Sequence, residues 1–238
     1  NHIATTIQPP NNYPYSASQD FTQIYNQLDL DAYNARSASI YRPKLDWMLE
    51  TFDRSKLNLP IRDVSWGELG AGAGYFMKAC ELEGLPSVAG YELDPNLIRQ
   101  SQSALQRYTI NHSDVPLPEL IRSTQHDIYT SWFVLEHLDD LSSVWQAFSE
   151  KPTGTIFAFS VPTFGFSTVL ESVVPSHYAR NLDSVFHTQI FTTQSIAHGL
   201  ACAGMEVVSE WIFGQDATDL FRCLLKGAES IKKIHLTA

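Results

Sequence analysis

The sequence predicts an α/β fold, a mostly parallel sheet with helices on both faces and a helical cap ahead of it. Three observations carry that expectation. Short apolar runs alternate with helical patterns from about residue 64 onward, as strand–crossover–strand units require. A turn holding Gly70, Gly72 and Gly74 joins the first of these strands to its helix. The chain has 238 residues, 44% hydrophobic and 18% charged, enough for one sizeable core with some decoration.

Residues 1–19 are rich in Pro, Asn and Ser and lack periodicity, so an extended or flexible arm is expected. Phe21, Ile24, Tyr25 and Leu28 follow helical spacing over residues 20–30. Tyr33, Ile40, Tyr41, Leu45, Met48 and Leu49 do so over residues 32–52, where Pro43 should start a new helix or kink this one. Both runs precede the first strand, so residues 20–60 are read as a cap over the cleft.

Residues 64–69 read as that strand, and residues 75–83 as a helix closed by Gly84. Residues 88–93 form the next strand, and Pro95 opens a helix to about residue 108. Residues 111–125 carry two prolines and resist assignment, although a short third strand belongs near them. Strands are expected at residues 127–133 and 155–160, with a helix at 141–148 between them. An insertion spans about residues 161–190. Residues 192–203 read as a helix with Thr192 or Thr193 as N-cap and Gly204 past its end. A strand at 205–213, a helix at 216–225 and a final strand at 230–237 complete the expected order.

Composition narrows the function. Sixteen basic against 26 acidic side chains give a net charge of -10, which repels a phosphate backbone and argues against nucleic acid as a partner. No apolar run is long enough to span a bilayer and no secretory pattern is present, so no membrane is expected. Cys80, Cys202 and Cys223 lie far apart in apolar stretches and read as buried free thiols of a cytoplasmic protein.

The glycine turn carries the chemistry. Sheets of this type bind ligands beyond the carboxyl ends of their strands, and glycines let a ligand approach the turn's backbone. The helix that follows offers unpaired N–H groups to an anion. The dinucleotide fingerprint G-x-G-x-x-G needs its third glycine where this chain has Tyr75. The spacing therefore favours S-adenosylmethionine (SAM) over NAD. Glu92 ends the next strand, in place to accept hydrogen bonds from ribose hydroxyls. Glu68 can reach the positively charged methionine end of the cofactor.

Residues 64–160 resemble the class I SAM-dependent methyltransferases, with their Rossmann-like fold. GELGAGAGYF (67–76) is similar to the family's first motif and GYELDP (90–95) to its second. DIYTSWFVLEHLDDL (127–141) resembles the fourth-strand motif, and TGTIFAFSVP (153–162) the fifth strand. The region after about residue 188 is similar to the C-terminal half of the superfamily. The resemblance implies a seven-stranded sheet, a methyltransferase domain over residues 61–238, and cofactor contacts at Glu68, Gly70, Ala71, Gly72, Gly74, Glu92 and Leu93. It further implies contacts from Ser131, Trp132 and Phe133. Asp114 is a candidate for the adenine contact.

A hydroxyl acceptor needs a base. His137, just past the fourth strand, and His187, just before the helix at 192–203, are the candidates. Within the insertion, Tyr178 and Arg180 are candidates for holding the acceptor, Arg180 through an anionic group. Some ubiquinone-biosynthesis O-methyltransferases look similar here and bind a metal through two glutamates and this histidine. Phe133 stands where their first glutamate would fall, so no metal is expected. The reading is a methyltransferase for a small polar metabolite, such as a sugar or sugar nucleotide. O-methylation is favoured over N- or C-methylation, and a homodimer is compatible with the sequence. Two alternatives are a non-catalytic SAM- or partner-binding protein of the same fold and a nicotinamide-dependent oxidoreductase.

Overall fold

The structure, a computed structural model, describes residues 3–4, 29–54, 63–173, 187–212, 221 and 224–225. In chain order the strands are β1 (Ile3–Ala4), β2 (Trp66–Leu69), β3 (Val88–Glu92), β4 (Ile110–His112), β5 (Ile128–Trp132), β6 (Ile156–Ser160) and β7 (Gln189–Ile190). Five of them form one sheet in the order β4-β3-β2-β5-β6, with every pairing parallel. The order reverses between β2 and β5, so the cleft of the sheet opens beyond the carboxyl ends of these two strands. The seven-stranded sheet that the family resemblance implied is thus five-stranded among the described residues.

Alternation along the strands divides the core into two layers. Trp66, Ile128 and Trp132 pack with Leu45, Met48 and Phe76 on one face. Leu69 and Tyr129 pack with Leu120, Leu135, Val144 and Phe148 on the other. Helix α1 (Leu30–Arg36) runs through a π-helical turn (Ser37–Tyr41) into α2 (Arg42–Arg54). Pro43 sits just after that turn. A proline lacks a donor and crowds the carbonyl four residues earlier, and the wider π turn accommodates both defects. The Arg42 N–H accordingly reaches back to the Ser37 carbonyl.

Helix α3 (Tyr75–Glu83) begins at Gly74 and ends at Gly84, both left-handed. Helix α4 (Pro95–Ala104) opens with Asp94 capping the Asn96 N–H. The segment with two prolines holds the expected third strand, β4, and an unexpected helix, α5 (Leu117–Ser123). Its prolines occupy the cap and first turn, where a missing N–H costs no hydrogen bond. A short 3₁₀ turn (Leu135–His137) follows β5, then α6 (Leu141–Ser149). The insertion carries α7 (Phe166–Val173). Helix α8 (Thr193–Cys202) has Thr192 and Ser195 in a reciprocal capping box.

Two expectations fail. Residues 205–212 pair with no strand, and Val207, Val208, Trp211 and Ile212 are exposed. Their alternation suits a strand, but no sheet edge among the described residues takes them up. Cys202 is exposed whereas Cys80 is buried, because α8 turns Cys202 away from the core. Cys223, the helical run at 20–28, most of the helix expected at 216–225 and the strand expected at 230–237 lie outside the described residues. Of the arm, Ile3–Ala4 pairs antiparallel with Gln189–Ile190. No helix among the described residues is long and apolar enough to cross a membrane.

Candidate active site

The cleft begins at the turn between β2 and α3. Gly70, Gly72 and Gly74 all have positive φ, at 68°, 56° and 79°. Their roles differ by what a side chain would meet. A Cβ on Gly70 would lie 2.6 Å from Val134, and one on Gly74 would lie 2.9 Å from Leu105. Those two glycines let neighbouring elements pack closely. A Cβ on Gly72 would meet nothing within 4 Å, because its backbone faces the open cleft.

Glu92 holds this turn in place. Its Oε2 accepts the Gly72 N–H at 2.7 Å, and its Oε1 accepts the N–H groups of Leu93 and Asp94, each at 2.9 Å. Leu93 is exposed at the cleft rim. Glu68 is 2% exposed, and no donor reaches its Oε2. Burial, with the Glu92 carboxylate adding to it, raises the Glu68 pKa well above its ordinary value. A buried carboxylate short of donors, beside a second carboxylate and a bare backbone turn, suits a cationic ligand with hydroxyl groups. The residues present therefore fit SAM.

The N-terminal helices dock onto the same turn. Tyr33 donates its hydroxyl to the Ala73 carbonyl at 2.8 Å, and Ser37 donates to the Tyr75 carbonyl at 2.8 Å. Tyr75, which occupies the third-glycine position of the dinucleotide pattern, stacks on Tyr33 at 4.4 Å and lies 5.6 Å from Tyr41. Its ring thus supports the helices that cover the turn. Tyr33→Phe leaves the buried Ala73 carbonyl short of a donor and is expected to cost about 1–2 kcal/mol, read from chemical denaturation. An unchanged midpoint would show that this bond contributes nothing.

The other wall comes from the end of β5. Trp132 and Phe133 line the cleft, and Phe133 is the one non-glycine with positive φ among the described residues, at 61°. Ser131 belongs elsewhere. It is fully buried, and its hydroxyl bonds the Leu69 carbonyl inside the sheet, so the expected cofactor contact is not made by this side chain. Lys44, which no sequence pattern singles out, is buried at this wall with its ammonium 4.8 Å from the Phe133 ring centroid. Burial, then the charge of Arg36, lowers its pKa to about 8.

Beyond Phe133 the chain turns through Glu136 and His137. Glu136 is 2% exposed, and burial raises its pKa to about 8. The segment after the insertion is tied to this turn. Thr188 donates its N–H to the Glu136 carbonyl at 2.9 Å and its hydroxyl to the Leu138 carbonyl at 3.0 Å. Gln189 donates its side-chain amide to Leu138 at 3.0 Å. These bonds bring His187 against His137, with ring centroids 5.0 Å apart. Both imidazoles line the cleft that also holds Gly72 and Asp114. Tyr178 and Arg180 lie outside the described residues.

The methyltransferase domain family matches residues 34–210, most of the chain. The chain belongs to that family. Its cofactor is S-adenosylmethionine, and the nicotinamide alternative falls away. Among solved structures, this methyltransferase is similar to the magnesium protoporphyrin IX methyltransferase (ChlM) of Synechocystis PCC 6803 with bound SAH. The TM-score is 0.62 at 12% identity, covering 85% of this chain and 91% of that one. It is also similar to a S-adenosylmethionine-dependent methyltransferase of Clostridium acetobutylicum, with a TM-score of 0.52 at 12% identity, covering 83% and 94%. At such identity these two show a shared fold. No curated protein matches the sequence.

Proposed function

We propose that this methyltransferase acts on a small polar metabolite and that the acceptor is a hydroxyl group, as on a sugar or sugar nucleotide. The carrying observation is the meeting of His137 and His187, 5.0 Å apart, in the cleft that contains the glycine turn. When bound, the cofactor supplies a methyl group activated by its sulfonium. Glu68, Gly70, Ala71, Gly72, Glu92 and Leu93 hold that cofactor, and Trp132 and Phe133 wall off its reactive end. In line transfer asks mainly for alignment and exclusion of water, which can be worth roughly 7–11 kcal/mol. His137 and His187 activate the acceptor by taking the hydroxyl proton. Tyr178 and Arg180, on the insertion, orient the acceptor.

The N-terminal helices serve as the cap of the cleft, with residues 61–238 as the catalytic domain. A net charge of -10 favours a small molecule over nucleic acid. Incubation with labelled SAM and a panel of sugars, sugar nucleotides and phenols should give a product heavier by one CH2. His137→Ala and His187→Ala are each expected to lower kcat by about 10²–10⁴-fold with little change in SAM affinity. Wild-type rates in both variants would remove the two histidines from the chemistry.

A further inference from the structure

We propose that Glu136, His137 and His187 form a binding site for a divalent first-row transition-metal ion at the acceptor end of the cleft. The ion's role rests on the acceptor site proposed above, but its binding does not. Sequence spacing offered no third ligand, because Phe133 stands where a further glutamate would be needed. The fold supplies one from the far side of the insertion.

The donor set is one carboxylate and two imidazoles, a combination suited to Zn²⁺, Fe²⁺, Co²⁺ and Mn²⁺. One ligand atom from each residue lies within 4.8 Å of the others. An ion held at about 2.0–2.2 Å by each would draw them to about 3.5 Å apart, a shift that side-chain rotation supplies. The backbone around them is already fixed by the bonds from Thr188 to Glu136 and Leu138.

Glu136 is the second, independent observation. Its side chain is among the fully buried ones, and no donor reaches its Oε2. A carboxylate in that setting is costly to bury without a compensating cation. The ion provides that compensation. All three residues line the cleft, so its remaining coordination positions face the acceptor. With the ion bound the two imidazoles serve as its ligands in place of acting as bases: the ion would lower the pKa of the acceptor hydroxyl, and the proton released would pass to solvent water.

The test uses the full chain, stripped with EDTA and titrated with Co²⁺ while its visible d–d absorption is followed. The wild type is expected to bind about one Co²⁺ per chain, and Glu136→Gln and His187→Gln each to raise the Kd by about 100-fold. Calorimetric SAM binding, retained in both variants, shows that they are folded. No Co²⁺ uptake by the wild type, or equal uptake in both variants, overturns the site. Methyl transfer that survives EDTA without Co²⁺ uptake leaves the two histidines as bases and removes the metal. Co²⁺ binding as expected, with no transfer to any acceptor, keeps the metal site and sinks the acceptor reading instead.

Discussion

Gly72→Val should raise the dissociation constant for SAM by at least about 100-fold, a loss of about 2.7 kcal/mol, while the protein stays folded. Gly72 has φ 56° and no atom within 4 Å of where a Cβ would lie. A valine there meets no core neighbour and projects into the cleft. The left-handed backbone adds about 1–2 kcal/mol of strain, which lowers stability without abolishing it. Gly74→Val is the contrasting variant. Its Cβ would lie 2.9 Å from Leu105 and 3.2 Å from Ile110, so it should damage the fold first. Calorimetry and thermal melts on the pair separate the two effects. Normal SAM affinity in folded Gly72→Val would place the cofactor elsewhere.

Glu92→Ala is the second large effect. It strips acceptors from the N–H groups of Gly72, Leu93 and Asp94 together. Water can reach part of this rim, so the loss of stability should be about 1–3 kcal/mol rather than the full sum of three bonds. The loss of SAM affinity should be larger, because the same carboxylate orients the turn and is placed to accept ribose hydroxyls. Glu92→Gln separates the two roles. Its amide oxygen can still serve one side of the turn while its NH2 opposes a donor on the other, so intermediate affinity is expected. Affinity for SAM in Glu92→Ala matching that of the wild type would show that neither role matters.

The glycine turn and the acid that bonds it were legible because these residues are local. A strand, three glycines and a helix start lie within one stretch, and Glu92 ends the adjacent parallel strand. Register follows from such a short crossover. Sequence could not separate the glycines by role, since that depends on Val134, Leu105 and the open cleft rather than on spacing. Nor could spacing separate Ser131, whose hydroxyl bonds the Leu69 carbonyl, from Trp132 and Phe133, which line the cleft: Phe133 lies past the end of β5 with φ 61°, so strand alternation does not place it. Helix α5 was missed because prolines were read as breakers, although in a first turn they interrupt nothing. The strand at 205–213 was overread because alternation says a segment could be a strand, and only a neighbouring edge makes it one.

The sequence by itself determined the α/β order, the bare turn and the acid that answers it, since each is set by short-range propensity and backbone sterics. Only the tertiary structure decided that Tyr75 carries the N-terminal helices, that Lys44 is buried and that His187 meets His137 beside Glu136. Those meetings join segments far apart in the chain through Thr188, Tyr33 and Ser37. No periodicity encodes them, because they come from packing that exists only once the sheet has assembled.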